Sequence, residues 1–220
     1  VSSVLYLVST ISFGSVAVFT LNIINRSTIQ SISEDFQILI VSFFVTIYTL
    51  YLYTRTRQIF QHIALFYSTI FFLGSVGNII FPNIEPWAGG LFLISIGLIW
   101  GLYTFNEVLG PSWLGYFLST STTSIGSIIL IDNLLINNDL LQIIFLILGS
   151  VLFVWASIQL TEQVIFYIGG LGLVVNLPRL ITELLPDNIW PPLILFLVGG
   201  VLVSVGLYLN SIRENIKNND

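Results

Sequence analysis

The chain contains no cysteine and no methionine, one histidine (His62), and six Lys and Arg side chains in 220 residues. Each shortage excludes something. Without thiols there are no disulfides, thiolate metal sites or thiol catalysis. A single His rules out a haem clasped by two histidines of this chain, and a His-rich metal site as well. No metal or cofactor is expected. The basic side chains form no cluster of the kind that marks nucleic-acid binding or a polybasic lipid site, so no nucleic acid is expected as a partner. Charge of either sign is scarce, at 8% of residues, against about 25% in a soluble domain. So few charges cannot cover the surface of a globule in water.

What the chain has instead is apolar length. It is 55% hydrophobic, with a mean hydropathy of +0.97. Uncharged runs of about 18 residues or more recur, each able to cross roughly 30 Å of hydrocarbon. Inside lipid every backbone N–H and C=O must be paired internally, which leaves helices or a closed barrel. Barrel strands alternate apolar and polar residues, whereas these runs are apolar on all sides. The expectation is an all-α, polytopic transmembrane helix bundle of about eight spans, with the lipid bilayer as its solvent.

The spans are expected near 1–24, 36–53, 59–81, 87–105, 112–131, 140–160, 164–177 and 189–209, with the seventh continuing past Pro178 to Leu185 as an amphipathic piece. Residues 210–220 read as a hydrophilic tail. Tyr48, Tyr51 and Tyr53 read as an aromatic belt at the membrane interface. Together the spans form a single transmembrane domain, 1–209, arranged as hairpins 1–53, 59–105, 112–160 and 164–209.

These hairpins look alike. Gly14-Ser15-Val16, Gly74-Ser75-Val76, Gly126-Ser127-Ile128 and Gly172-Leu173-Val174 fall in one slot of the odd helices. Tyr48-Thr49-Leu50-Tyr51, Trp100-Gly101-Leu102-Tyr103, Trp155-Ala156-Ser157-Ile158 and Val205-Gly206-Leu207-Tyr208 fall in one slot of the even helices. A period of roughly 50 residues suits two membrane helices and a turn. Repeats of two spans enter from one side, so they are parallel rather than inverted, which weighs against an alternating-access design. Arg55, Arg57, Arg213 and Lys217 fall on one side of the eight spans, and Arg26 and Arg179 on the other. Basic residues favour the cytoplasmic side. Both termini are therefore expected in the cytoplasm, with the protein in a plasma (inner) membrane. The N-terminal run lacks a basic n-region and a small-residue cleavage site and is not read as a signal peptide. Residue 1 is Val, so the chain is read as processed or as a piece of something longer.

Few side chains could carry chemistry. The glycines at Gly89-Gly90, Gly170-Leu171-Gly172 and Gly199-Gly200 read as close helix crossings. The run Ser119–Ser124 in the fifth span could line a polar path through Ser121 and Thr122. Its hydroxyls face every direction, and each can also bond a carbonyl one turn back. Asn78 and Asn176 are amides in apolar surroundings, costly unless bonded. They could bond a neighbouring helix, satisfy carbonyls freed by Pro82 and Pro178, or line a shared site. Arg179 and Glu183, four apart, read as an interfacial salt bridge. His62 reads as an interfacial or hydrogen-bonded residue, without the G-x-S-x-G motif of a serine hydrolase near it. Paired intramembrane carboxylates are missing, so no catalytic residue is named.

The last hairpin, with Trp190-Pro191-Pro192 and Gly206-Leu207-Tyr208-Leu209, resembles the C-terminal end of a family of predicted bacterial membrane proteins. That family has domains of unknown function and repeated Gly-rich helical hairpins. The resemblance implies a bacterial-type plasma-membrane protein and carries over no functional residue. Two function classes follow from the residues. One is a non-enzymatic membrane anchor, scaffold or assembly domain for another membrane protein or an upstream soluble domain. The other is a transporter or channel for a neutral or apolar small solute, with a cavity lined by the third, fifth and seventh helices.

Overall fold

A computed structural model describes residues 2–27, 33–83, 85–135, 138–184 and 199–200. Among the described residues the chain is all helical, in the order α1 (Ser2–Ser27), α2 (Glu34–Thr56), α3 (Ile59–Ile80), α4 (Pro86–Phe105), α5 (Ser112–Leu134), α6 (Asp139–Leu160) and α7 (Gln163–Leu184). Helices α2 to α7 are each long and apolar enough to cross a membrane, and α1 contributes the shorter apolar stretch Val8–Thr20. These features support a multi-pass helical membrane protein. The expected eighth span and the hydrophilic tail lie outside the described residues.

Local chemistry sets the helix ends. Glu34 and Asp35 open α2 and Arg55 stands in its last turn, each complementing the helix dipole. Pro86 opens α4, where its missing N–H is no loss. The Asn138 side chain accepts a hydrogen bond from Leu141 N at 3.2 Å and caps α6. Arg57, Glu107 and Thr161, which follow α2, α4 and α6, all have positive φ, at 43°, 58° and 55°. Each of these turns thus reverses the chain through a left-handed residue.

Helix α5 runs further than the sequence suggests. Helix α5 continues past Ile131 to Leu134, held by Asn133 Nδ2 donating to Ile129 O at 2.8 Å and Leu135 N donating to Ile131 O at 2.9 Å. Asp132 therefore belongs to the last turn of a helix and not to a loop. Helix α7 runs unbroken through Pro178.

The chain divides into two compact units, Val1–Glu85 with Leu102–Leu118, and Pro86–Gly101 with Ser119–Asp220. Helices α4 and α5 give their ends nearest the 106–111 connection to the first unit and the rest to the second.

In the first unit α2 packs on α3, and α1 lies against both. The α2–α3 contact is partly polar: Thr49 Oγ1 and Ser68 Oγ are hydrogen-bonded at 2.8 Å, and Thr46 Oγ1 donates to Ser68 O at 2.9 Å. Leu52, Leu65 and Phe66 fill the space between. The aromatic belt reduces to Tyr51, which is 55% exposed and has the Arg55 guanidinium 5.5 Å from its ring centre. Tyr48 instead stacks on Phe13 at 4.6 Å and shares a 2.9 Å hydrogen bond with Ser9, so it ties α1 to α2. Tyr53 is buried: its hydroxyl accepts from Gly110 N at 2.8 Å and donates to Gly110 O at 3.1 Å.

In the second unit small residues set the spacing. A Cβ on Gly90 would stand 2.6 Å from Leu130 N, and one on Gly126 would stand 2.7 Å from Gly90 O. Ser119 Oγ donates to Gly97 O at 2.7 Å along the same seam. Helix α6 meets α7 in the same way, where a Cβ on Gly169 would lie 2.9 Å from Ser150 O and one on Gly172 would strike Ser150 Oγ. The close-crossing reading thus holds at Gly90 and Gly172. It fails at Gly89, where a Cβ meets nothing within 4 Å.

Candidate functional site

The polar face of α5 is split between two tasks. Ser119 points to α4, and Thr123 stands between that face and the next, against Gly97 on one side and the cavity on the other. Ser124, Ser127, Ile128 and Ile131 lie on another face, following the helical period of 3.6 residues. That second face lines an open cavity of about 670 Å³ between α5, α6 and α7, with Leu98 of α4 at its edge. The volume falls in the range of small-molecule sites, about 300–1,000 Å³. Its walls are mostly apolar, with Phe145, Phe153, Trp155 and Leu171 among them. Its polar groups are Thr123, Ser124, Ser127, Asp132, Ser150, Asn176 and Arg179.

Most donors at this site are already spent. Thr123 Oγ1 donates to Ser119 O at 2.9 Å, Ser127 Oγ to Thr123 O at 2.8 Å and Ser150 Oγ to Leu146 O at 2.8 Å. Asn176 Nδ2 donates to Gly172 O at 2.8 Å. These bonds leave oxygen lone pairs as the groups that the hydroxyls can offer a ligand. Asn176 keeps its side-chain carbonyl and its second N–H. At one end of the cavity stand the charges of Asp132 and Arg179, both exposed. Among the described residues neither side chain joins a salt bridge.

Of the residues singled out from the sequence, the structure brings two into this cavity, Asn176 and Arg179. Asn176 does not relieve the proline: the carbonyl left without its usual partner by Pro178 is that of Val174, four residues back, whereas the amide bonds Gly172. Arg179 forms no salt bridge with Glu183, and both side chains are exposed; Arg179 is turned to the cavity. Ser121 is half-buried and Thr122 buried, and neither lines the cavity; their neighbours Ser124 and Ser127 do. Asn78 lies in the first unit, where its Nδ2 donates to Asp35 Oδ1 at 3.2 Å and ties the end of α3 to the start of α2. Ser127, Ser150 and Asp132 were not singled out from the sequence. A Ser in the very apolar α6 gives no signal, and Asp132 reads as a loop residue until α5 is seen to include it.

His62 is fully buried in the first unit. It hydrogen-bonds the Gly110 backbone, and its ring lies 5.5 Å from that of Tyr53. It therefore holds the connection between α4 and α5. Beside it, Gln61 is only 3% exposed, and neither amide atom has a hydrogen-bond partner among the described residues. A buried polar group left unpaired costs about 1–3 kcal/mol. Gln61→Leu is therefore expected to raise stability by about 1 kcal/mol, read as a shift in the unfolding midpoint in mixed micelles. A loss of stability would show that the amide is bonded. Among the described residues no group of three or more His, Cys, Asp or Glu side chains could hold a metal ion.

No protein-family model, curated protein or solved structure matches the chain.

Proposed function

We propose that this protein is a non-enzymatic, multi-pass membrane domain whose second unit holds a small, largely apolar molecule between α5, α6 and α7. The observation that carries the reading is the cavity itself, about 670 Å³ and walled by aromatic and aliphatic side chains with a few hydroxyls, one amide and, at one end, the charges of Asp132 and Arg179. Such a lining suits a mostly apolar molecule with a polar end. The helices named for a solute path from the sequence were the third, fifth and seventh; the cavity favours the fifth, sixth and seventh.

The test uses Gly149, which lines the cavity and where an added Cβ meets nothing within 4 Å. Gly149→Phe is expected to fill the space while leaving the helices intact, because it replaces a poor helix former. Binding of a fluorescent apolar probe to the reconstituted protein should fall at least about tenfold, the loss of roughly 1.4 kcal/mol. Unchanged binding with an intact fold would overturn the reading.

A second reading, an anchor or scaffold for another membrane protein or an upstream soluble domain, is favoured by a different observation. Within the chain itself only 17% of the most apolar window of α3 and 22% of that of α2 is buried. Lipid or a partner covers the remainder. The finer topology belongs with these proposals: eight spans in four parallel hairpins, both termini cytoplasmic, a plasma (inner) membrane of bacterial type. The distribution of Arg and Lys and the likeness of the Gly-containing slots support it. A reporter at the C-terminus that reads as external would overturn the orientation.

A further inference from the structure

We infer that the α5–α7 cavity is a site for one membrane phospholipid carrying a primary ammonium in its headgroup, with the phosphate on Arg179 and the ammonium on Asp132. The inference rests on the cavity reading above and names the class of molecule: the open cleft of about 670 Å³ takes the headgroup, the glycerol and part of the chains, and the rest of the chains lies in the surrounding bilayer. Asp132 and Arg179 line the same cavity at the end where α5 and α7 both finish. Among the described residues neither charge has a salt-bridge partner, and the two signs together match a zwitterion. A guanidinium forks onto phosphate oxygens, and a carboxylate accepts from an ammonium.

The layering below the charges follows a lipid as well. Asn176 lies three residues before Arg179 on α7, about 4.5 Å deeper at about 1.5 Å per residue. Its second N–H lies at the depth of the ester oxygens of a glycerol backbone. From there the walls turn apolar, through Phe145, Leu171 and Trp155. The stretch from Ile168 to Arg179 rises about 16 Å, close to half of the roughly 30 Å hydrocarbon thickness. That is the depth of one leaflet, the length an acyl chain has to occupy. A neutral solute would leave both charges unmatched, and a simple anion would leave Asp132 repelling it.

The experiment reconstitutes the chain in vesicles of equal parts phosphatidylethanolamine, phosphatidylglycerol and diacylglycerol with identical acyl chains, then counts retained lipids by native mass spectrometry. One phosphatidylethanolamine per chain is expected. Arg179→Gln should lower its retention about tenfold, with helical content unchanged by circular dichroism. Asp132→Asn should shift the preference toward phosphatidylglycerol, because the repulsion of its anionic head is gone. Gly149→Phe should remove retention of all three. Equal retention of the three lipids, unmoved by Arg179→Gln, overturns the headgroup assignment. If Gly149→Phe still displaces the apolar probe in that case, the cavity reading survives without it; if it displaces neither probe nor lipid, both fall. Retention of no lipid by any variant also overturns the assignment.

Discussion

Gly90→Ala and Gly126→Ala should each destabilise the protein by about 2–3 kcal/mol, whereas Gly89→Ala, one residue away, should be neutral or stabilising by up to about 1 kcal/mol. The contrast comes from what each new methyl meets. On Gly90 it would stand 2.6 Å from Leu130 N and 2.7 Å from Gly126 O. On Gly126 it would stand 2.7 Å from Gly90 O and 2.8 Å from Ile94 N. These are backbone atoms, which cannot swing aside as a side chain can, so α4 and α5 must separate. Separation breaks the Ser119–Gly97 hydrogen bond in the same seam. It also forfeits the dispersion contacts that stand in for the hydrophobic effect between helices in lipid. At Gly89 the methyl finds open space within 4 Å, and the change only removes the backbone freedom of a helical glycine. Reversible unfolding in mixed micelles reads all three variants. The double variant Gly90→Ala with Gly126→Ala should cost less than the sum of its parts, since one separation relieves both clashes. Equal effects at Gly89 and Gly90 would refute the crossing.

His62→Ala should cost about 3 kcal/mol and Tyr53→Phe about 2 kcal/mol. Both side chains end on one residue, Gly110. The tyrosine hydroxyl takes the Gly110 N–H at 2.8 Å and gives its own hydrogen to the carbonyl at 3.1 Å. The imidazole bonds the same backbone and is fully enclosed, so its removal also leaves a cavity. Removing the hydroxyl leaves an amide without its partner in a place where water is scarce. Because both act through one peptide, the double variant should fall short of additivity by about 1 kcal/mol. Hydrogen exchange at the Gly110 amide checks the cause directly: it should quicken in Tyr53→Phe while exchange within α6 and α7 stays the same. Unchanged protection at Gly110 would mean that the hydroxyl does not hold it.

The helices themselves were legible in the sequence because crossing lipid demands long uncharged runs, and long runs are hard to mistake. Their ends were less so. Asp132 looks like the start of a loop, yet the Asn133 side chain and the Leu135 amide both bond back and extend α5. Pro178 reads as passable, with the helix continuing to Leu185, and α7 does run through it to Leu184. Asn176 and Arg179 drew notice as polar groups in an apolar stretch, and both reach the cavity. Asn78 drew notice for the same reason and serves only to tie α3 to α2. Nothing local separates the two amides; what lies opposite does. The hydroxyl run of α5 was illegible in another way. Its side chains point in all directions, and the face turned to the cavity is decided by where Gly97 lets α4 approach. Tyr48 and Tyr53 followed the statistics of an interfacial belt and were claimed instead by Ser9 and Gly110.

The most direct measurement is nitroxide scanning along α6 in lipid vesicles, made simple by the absence of native cysteine. Leu148, Val151 and Ile158 are exposed on the chain's own surface and away from the cavity, while Ser150 and Val154 are buried. The account predicts frequent collisions with dissolved oxygen and rare collisions with a water-soluble nickel complex at Leu148, Val151 and Ile158, and few collisions with either at Ser150 and Val154. Frequent nickel collisions at the exposed positions would place α6 in water and contradict a helix packed through small residues and clothed by lipid.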